Sequence, residues 1–308
     1  MKRNDAKQNI LASLTPPKLI SELKKRKKWQ EQRGKTFRIK QPRQLDPRSI
    51  ERSVRRAYKI RMNNLIKLVN EQLIPRLPEL IAGEDSSKPE TPKPITRKKE
   101  KRDALGTELA IILNGIQIEF GRDLTEAELA IAAEKSGLAV NAHNLAQLSK
   151  SLKTVLDVDV FGDEPFLRAQ VENYVEQNVA LIKSVDERYF TEVQREIFAG
   201  TRQGLSTKEI SEKIRERGKV AKSRADLIAR DQINKLNGSI SKLRQTNLGV
   251  GRYVWRTSLD ERVRPAHISR EGKIFSWDEP PSDGHPGEPI NCRCYAEPVL
   301  EDLIEESE

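Results

Sequence analysis

The sequence predicts a mainly α-helical protein, with an elongated helical body and a small C-terminal α+β module. Apolar residues recur at spacings of three and four along most of the first 250 residues, the period of a helix face. After Gly251 the pattern changes to short β-like segments separated by prolines and glycines. Composition agrees: 36% of the 308 residues are hydrophobic and 5% aromatic, against 33% charged, which makes for a lean core.

The elements follow in order. Residues 17–31 suit a short basic helix in which Lys24, Lys25, Arg26, Lys27 and Lys28 precede Trp29. A stronger helix is expected from Pro47 to Leu73. Ile50, Val54, Tyr58, Met62, Leu65, Val69 and Leu73 form its apolar stripe, and Arg52, Arg55, Arg56, Lys59 and Arg61 lie mostly off it. Pro75 and Pro78 should break that helix. Residues 83–103 read as a linker, with three prolines, no large apolar residue in the first half and a charge run from Arg97. A basic helical arm therefore occupies residues 1–82 and a helical body residues 104–250.

Within the body, Leu105–Phe120 is apolar enough to be buried. Thr125 and Glu128 form a capping box, with Gly137 as the matching stop. His143–Val155 suits another helix. A long one opens at Asp163-Glu-Pro165 and shows a face of Leu167, Val171, Tyr174, Val175, Ile182, Val185, Tyr189 and Val193. Ser206 and Glu209 make a second capping box, with Gly218 as its stop, and Ser223 caps a further helix ending before Gly249. The module then fills residues 251–299, with β-like segments Tyr253–Thr257, Lys273–Trp277 and Cys292–Val299. Residues 300–308 read as an acidic, frayed tail.

Charge is unevenly placed. Residues 1–61 hold 20 Lys/Arg against 5 Asp/Glu, a net of +15, whereas residues 104–308 hold 27 against 34, a net of −7. A cationic arm on an acidic body suits a polyanion, and a solvated tail has the same composition. Lys24, Lys25, Arg26, Lys27, Lys28, Arg52, Arg55, Arg56 and Lys59 are the candidate phosphate contacts, binding double-stranded DNA without reading its sequence. No apolar leader or membrane-length span is present, so a membrane partner is not expected. Cys292-x-Cys294 is no secreted disulfide framework, and reduced thiols in a cytoplasm are the simpler reading.

Both cysteines and two of the three histidines fall within the last 42 residues. His267, His285, Cys292 and Cys294 make a Cys2His2 set of a kind that holds structural zinc. Against it, the cysteines are one residue apart, and on a straight strand their Cβ atoms would lie nearly 7 Å apart at a rise of ~3.3 Å per residue. Two buried cysteines with Arg293 pointing outward fit the same residues. No cofactor is otherwise implied. The zinc deaminase signature fails at both halves, and no phosphate loop is present. A nuclease with His267 as base beside Asp260 and Arg264 is the enzymatic alternative. His143 stands alone and takes no role.

The run Trp255-x4-Asp260-x-Arg-Val-Arg264-x2-His267, then Gly272, then Pro289-x-Asn291-Cys-Arg293-Cys294, resembles the C-terminal signature of the Mu F-like head morphogenesis proteins of tailed phages. The resemblance is strong over residues 253–298 and looser over the preceding helix. There Ala229-Arg230-Asp231-Gln232 stands where such proteins carry an Ala-Arg-Thr-Glu-like stretch, with Arg230 and Asn237 as further contributors. It implies a non-enzymatic minor head protein, in the virion at the head interior or portal vertex and in the host cytoplasm during assembly. Its implied partners are the portal protein, capsid or scaffold proteins, and DNA. The motif residues would then form a folding or docking unit.

Overall fold

The computed structural model describes residues 16–37, 39, 41–85, 95–123, 125–156 and 164–305. It is mostly helical, with a three-stranded antiparallel sheet near the C-terminus. Helix α1 spans Pro16–Glu31 and α2 Arg48–Leu68. The chain does not break at Pro75. It stays helical through a wide turn at Val69–Leu73 and a tight one at Ile74–Arg76 into α3, Leu77–Asp85. Pro75 and Pro78 fall in the first turns of new segments, where a missing N–H costs nothing. Helix α4 spans Ile95–Asp123, α5 Glu126–Leu156, α6 Arg168–Gln203 and α7 Thr207–Asn247. Residues 95–103 of the expected linker are thus helical, and residues 86–94 lie outside the described residues.

Both capping boxes form. The Thr125 N–H donates to Glu128 at 2.8 Å and the Glu128 N–H to Thr125 Oγ1 at 3.3 Å, and Ser206 and Glu209 repeat the exchange. The glycine stops do not. Gly137 lies inside α5, where a Cβ would stand 3.0 Å from Val171 and 3.2 Å from Tyr174. Gly218 lies inside α7, 3.2 Å from Ile66 by the same measure, and Ser223 is mid-helix. These glycines permit close helix approach instead of ending helices.

The chain forms two compact units. One combines Ser53–Ala133 with Glu176–Ala229. Its core takes the expected stripe of α2: Val54, Tyr58, Met62, Leu65, Val69 and Leu73 are all buried. Buried Arg61 donates to Asp186 at 2.6 Å and lies over the Phe120 ring at 4.4 Å.

The other unit combines residues up to Arg52 with Glu134–Val175 and Arg230 onward. Strand β1, Arg252–Arg256, lies between β2, Ile274–Ser276, and β3, Tyr295–Pro298, with Tyr253 opposite Phe275 and Trp255 opposite Ala296. One apolar cluster joins Leu19 and Leu23 of α1 to Leu148, Leu152, Leu248 and Val250. Leu300, Leu303 and Ile304 complete it; the last two lie on a short helix, Asp302–Glu305. Residues 300–305 therefore pack rather than fray, and α1 is docked by its apolar edge.

The last turns of α7 tie this unit together. The Arg244 side chain is fully buried and donates twice to Glu164, at 2.6 and 2.8 Å, and to Asn144 at 2.7 Å. Gln245 donates to Ala296 O at 2.9 Å and accepts from Trp277 Nε1 at 3.2 Å. Nearly two turns earlier α7 carries Gly238, where a Cβ would stand 2.5 Å from Pro286 O. Gly287, at φ +96°, meets Gly238 Cα from the other side. Two glycines thus let the 284–288 loop lie on bare helix backbone.

Candidate functional site

Trp255, in the middle of β1, is the floor of the site and is fully buried. Its carbonyl accepts from Gly272 N–H at 2.9 Å and its N–H donates to Lys273 O at 2.8 Å. Gly272 makes that turn at φ +76°, a conformation glycine adopts without steric cost. Arg264 is extended, as a residue before proline must be, and Pro265 starts a helical turn, Pro265–Ile268. That turn swings His267 inward, edge-on to Trp255 with ring centroids 5.1 Å apart.

His267 is 2% exposed, and both ring nitrogens are engaged. Nε2 lies 3.0 Å from Asp283 Oδ2, whose other oxygen accepts from Arg270. Nδ1 faces Cys294 Sγ at 3.4 Å and Cys292 Sγ at 3.6 Å. Asp283 accepting from Nε2–H leaves the Nδ1 lone pair on the sulfur side. Two ligands of one tetrahedral zinc, bonded at ~2.3 Å for sulfur and ~2.0–2.1 Å for nitrogen, stand about 3.6 Å apart. The three ligand atoms lie within 4.8 Å of one another, so this buried group can hold a metal ion.

The straight-strand objection fails because the segment is not a strand. Pairing begins at Tyr295, and Asn291 sits at φ +58°, so the chain curls and both sulfurs converge. Cys292 also accepts from Gly287 N–H at 3.5 Å. The hydrogen bond from Cys294 holds the Cys292 thiol below the ordinary range. The same bond, with burial, pushes Cys294 up, since it keeps the donated proton. Burial works against the Asp283 carboxylate, yet hydrogen bonds from His267 and Arg270 hold it below its usual range.

His285 is not part of this set. Its Nδ1 lies 2.9 Å from Tyr253 Oη, and its ring packs on Trp277 at 4.9 Å. Burial and then Lys242 push its pKa down. The Cys2His2 expectation reduces to Cys2His with a carboxylate behind the histidine, an arrangement common around metals.

The other motif residues pack around this centre. Arg293 donates to Asp260 at 2.8 Å, and Arg264 to Ile290 O at 2.6 Å. The Pro289 carbonyl accepts from Cys292 N–H at 2.9 Å. Asn291 N–H donates to Asp231 Oδ1 at 2.9 Å, so the residue that departs from the family pattern on α7 holds the cysteine loop. Arg264, His267, Asn291 and Arg293 line one cleft of about 300 Å3, together with Arg230. Asn237, with its side-chain oxygen 3.1 Å from Asn144 Nδ2, belongs to the α5–α7 contact instead.

Sequence reasoning missed Asp283, Asp231, Tyr253 and the Arg244–Gln245 pair. Asp283 carried a signal, as an acidic residue two positions before His285 in the same proline- and glycine-rich run, and Asp231 stood in the looser stretch of the motif.

The basic candidates are scattered. Lys24, Lys25 and Lys28 on α1 are exposed, and Arg26 and Lys27 half-buried. Lys25 pairs with Glu22 at 2.7 Å, and Trp29 lies between Arg26 and Arg33, 4.9 and 4.0 Å from its ring. On α2, Arg52, Arg56 and Lys59 are exposed. Arg55 instead grips Asp226 through two hydrogen bonds, at 2.6 and 2.9 Å, and is spent on the fold. Among the described residues no helix is long and apolar enough to cross a membrane. His143 Nε2–H donates to Leu45 O at 2.9 Å, a packing contact.

The fold and site define a helical protein whose last long helix carries a small sheet built around a buried His/Cys centre. Residues 191–297 match the family described as Phage Mu protein F like protein, and they form a Mu F-like domain. The chain is also 36% identical, over 165 residues, to an uncharacterized protein of Haemophilus influenzae. That alignment covers 52% of this chain and 37% of the relative, so the chain spans little more than a third of the relative's length. No solved structure matches.

Proposed function

We propose that this protein is a minor structural component of a tailed-phage head. In this reading it sits at the portal vertex or head interior, and acts in procapsid assembly and in DNA packaging or delivery. The observation that carries it is the Mu F-like domain, whose signature residues are engaged in packing and hydrogen bonding around one buried centre. Portal and capsid or scaffold proteins are the proposed partners, and the exposed lysines of α1 the proposed non-specific contacts to double-stranded DNA. Zinc is the metal proposed for His267, Cys292 and Cys294, stapling a module too small to rely on its core alone.

His267 is proposed as a structural residue and not a nuclease base. Its burial and its two engaged nitrogens support this, because a general base must reach the proton it removes. Quantitative mass spectrometry of purified procapsids and mature particles tests the whole reading. A few copies per particle are expected, and absence from both overturns it. Metal-dependent plasmid nicking that vanishes on His267→Ala would establish the enzyme instead.

A further inference from the structure

The cleft beside the His/Cys centre carries a charge pattern that packing does not require. Four of its walls are arginines, Arg230, Arg262, Arg264 and Arg293, and among the described residues no carboxylate lines it. Two of these are partly neutralised: Arg293 by Asp260 at 2.8 Å, and Arg230 by Glu51 at 3.5 Å. The other two keep their charge. Arg264 donates to a neutral carbonyl, and Arg262, whose side chain is 70% exposed, has Glu261 only at 4.0 Å. Each guanidinium presents five N–H donors, so one hydrogen bond leaves most of them for a ligand.

The cleft also holds unmet hydrogen-bonding capacity. Among the described residues, Ser258 Oγ and Asn291 Oδ1 are buried without a partner. A buried polar atom left this way regains its hydrogen bond when a ligand supplies the partner. Asn291 adopts φ +58° there, and uncommon backbone conformations gather at binding sites.

The geometry points to a binding site for a phosphate group in this cleft. Arginine forks match tetrahedral oxyanions, and the Ser258 hydroxyl donates to one directly. The Asn291 amide oxygen accepts from a phosphate oxygen that carries a proton. The volume of about 300 Å3 suits a phosphate with little attached. Among the described residues no ring but that of His267 lines the cleft, so a stacked base is not part of the site. A divalent metal on His267, Cys292 and Cys294 would cancel the charge of two thiolates and leave the arginines to set the sign. The site is independent of the head-protein reading and of the basic lysines on α1.

The test is calorimetric titration of the full-length chain with inorganic phosphate, at ionic strength held constant with chloride. The Arg262→Gln/Arg264→Gln variant is run beside it, with melting temperatures for both proteins. Binding to the wild type, weakened at least tenfold in the variant at unchanged melting temperature, is expected. A short 5′-phosphorylated duplex is then added as competitor. Displacement of phosphate in an Arg262- and Arg264-dependent way assigns the group to nucleic acid, and its failure assigns it to a free phosphate compound. No phosphate binding above chloride, or equal binding by the variant, overturns the proposal. So does binding of a glutamate-rich peptide that needs these arginines when phosphate does not bind. If the variant melts early, Arg262→Gln alone, remote from the packed residues, takes its place.

Discussion

His267 Nε2 and Asp283 Oδ2 stand 3.0 Å apart, and that contact decides which face of the imidazole looks at the cysteines. A carboxylate behind a metal-binding histidine fixes its tautomer and raises its basicity, and losing it typically costs 10–100-fold in metal affinity. Asp283→Ala is therefore expected to weaken Co2+ binding by that factor in a chelator competition, with thiolate–cobalt absorption as the readout. His285→Gln, outside the set, should leave the affinity unchanged. Equal effects of the two changes would remove Asp283 from the centre.

Gly238→Ala is expected to destabilise the unit that contains it by about 1–3 kcal/mol, the usual range for overpacking. Its Cβ would meet the Pro286 carbonyl at 2.5 Å, and both are backbone-anchored. Urea unfolding measures this. Gly115→Ala, with open space around it, is the control and should be neutral or slightly stabilising.

Arg244→Met leaves Glu164 without its two strongest donors in a largely buried setting. Breaking such a pair from one side costs about 3–5 kcal/mol, whereas removing both charges costs much less. Arg244→Met/Glu164→Gln should therefore recover most of the loss seen with Arg244→Met. A double variant no better than the single one would mean that the other acceptors of Arg244, Asn141 Oδ1 at 2.7 Å and Asn144 Oδ1 at 2.7 Å, are the partners that matter.

Burial raises the Asp186 carboxyl from 3.8 to about 6, against the pull of Arg61 and with a small push from Glu187. The folded protein thus binds this proton more tightly than the unfolded chain between pH 3.8 and 6. By linkage this group favours folding as pH falls through that window and disfavours it as pH rises. The difference in urea midpoint between wild type and Asp186→Asn should change across pH 4 to 6 and be flat above about 7. A difference that is constant with pH would mean that Asp186 does not titrate there.

Legibility in the sequence followed the range of the interactions. The Thr125/Glu128 and Ser206/Glu209 boxes are closed within one turn, so four residues suffice to read them. The stripe from Val54 to Leu73 and the three strands obey local periods and were legible too. Gly137 and Gly218 look like stops because a helix end and a close helix crossing both ask for glycine. What separates them is Tyr174 in one case and Ile66 in the other, both distant in sequence. In the centre, residue types were legible but membership was not. His267 and His285 are equivalent on paper, and only the curl at Asn291 and the Tyr253 hydroxyl sort them. Arg244 is one of many arginines until Glu164, 80 positions away, closes on it.

The packing of α1 against Leu300, Leu303 and Ile304 sets an order for the protein's own synthesis. Ile39 N–H finds its acceptor on Glu301, 262 residues later. At ~5–20 residues per second, roughly 13–50 s separate the emergence of the two. Through that interval Leu19 and Leu23 await the residues that cover them. A nascent chain in that state offers an apolar helix edge beside a row of lysines, which is when a chaperone or an early assembly partner would find it most receptive.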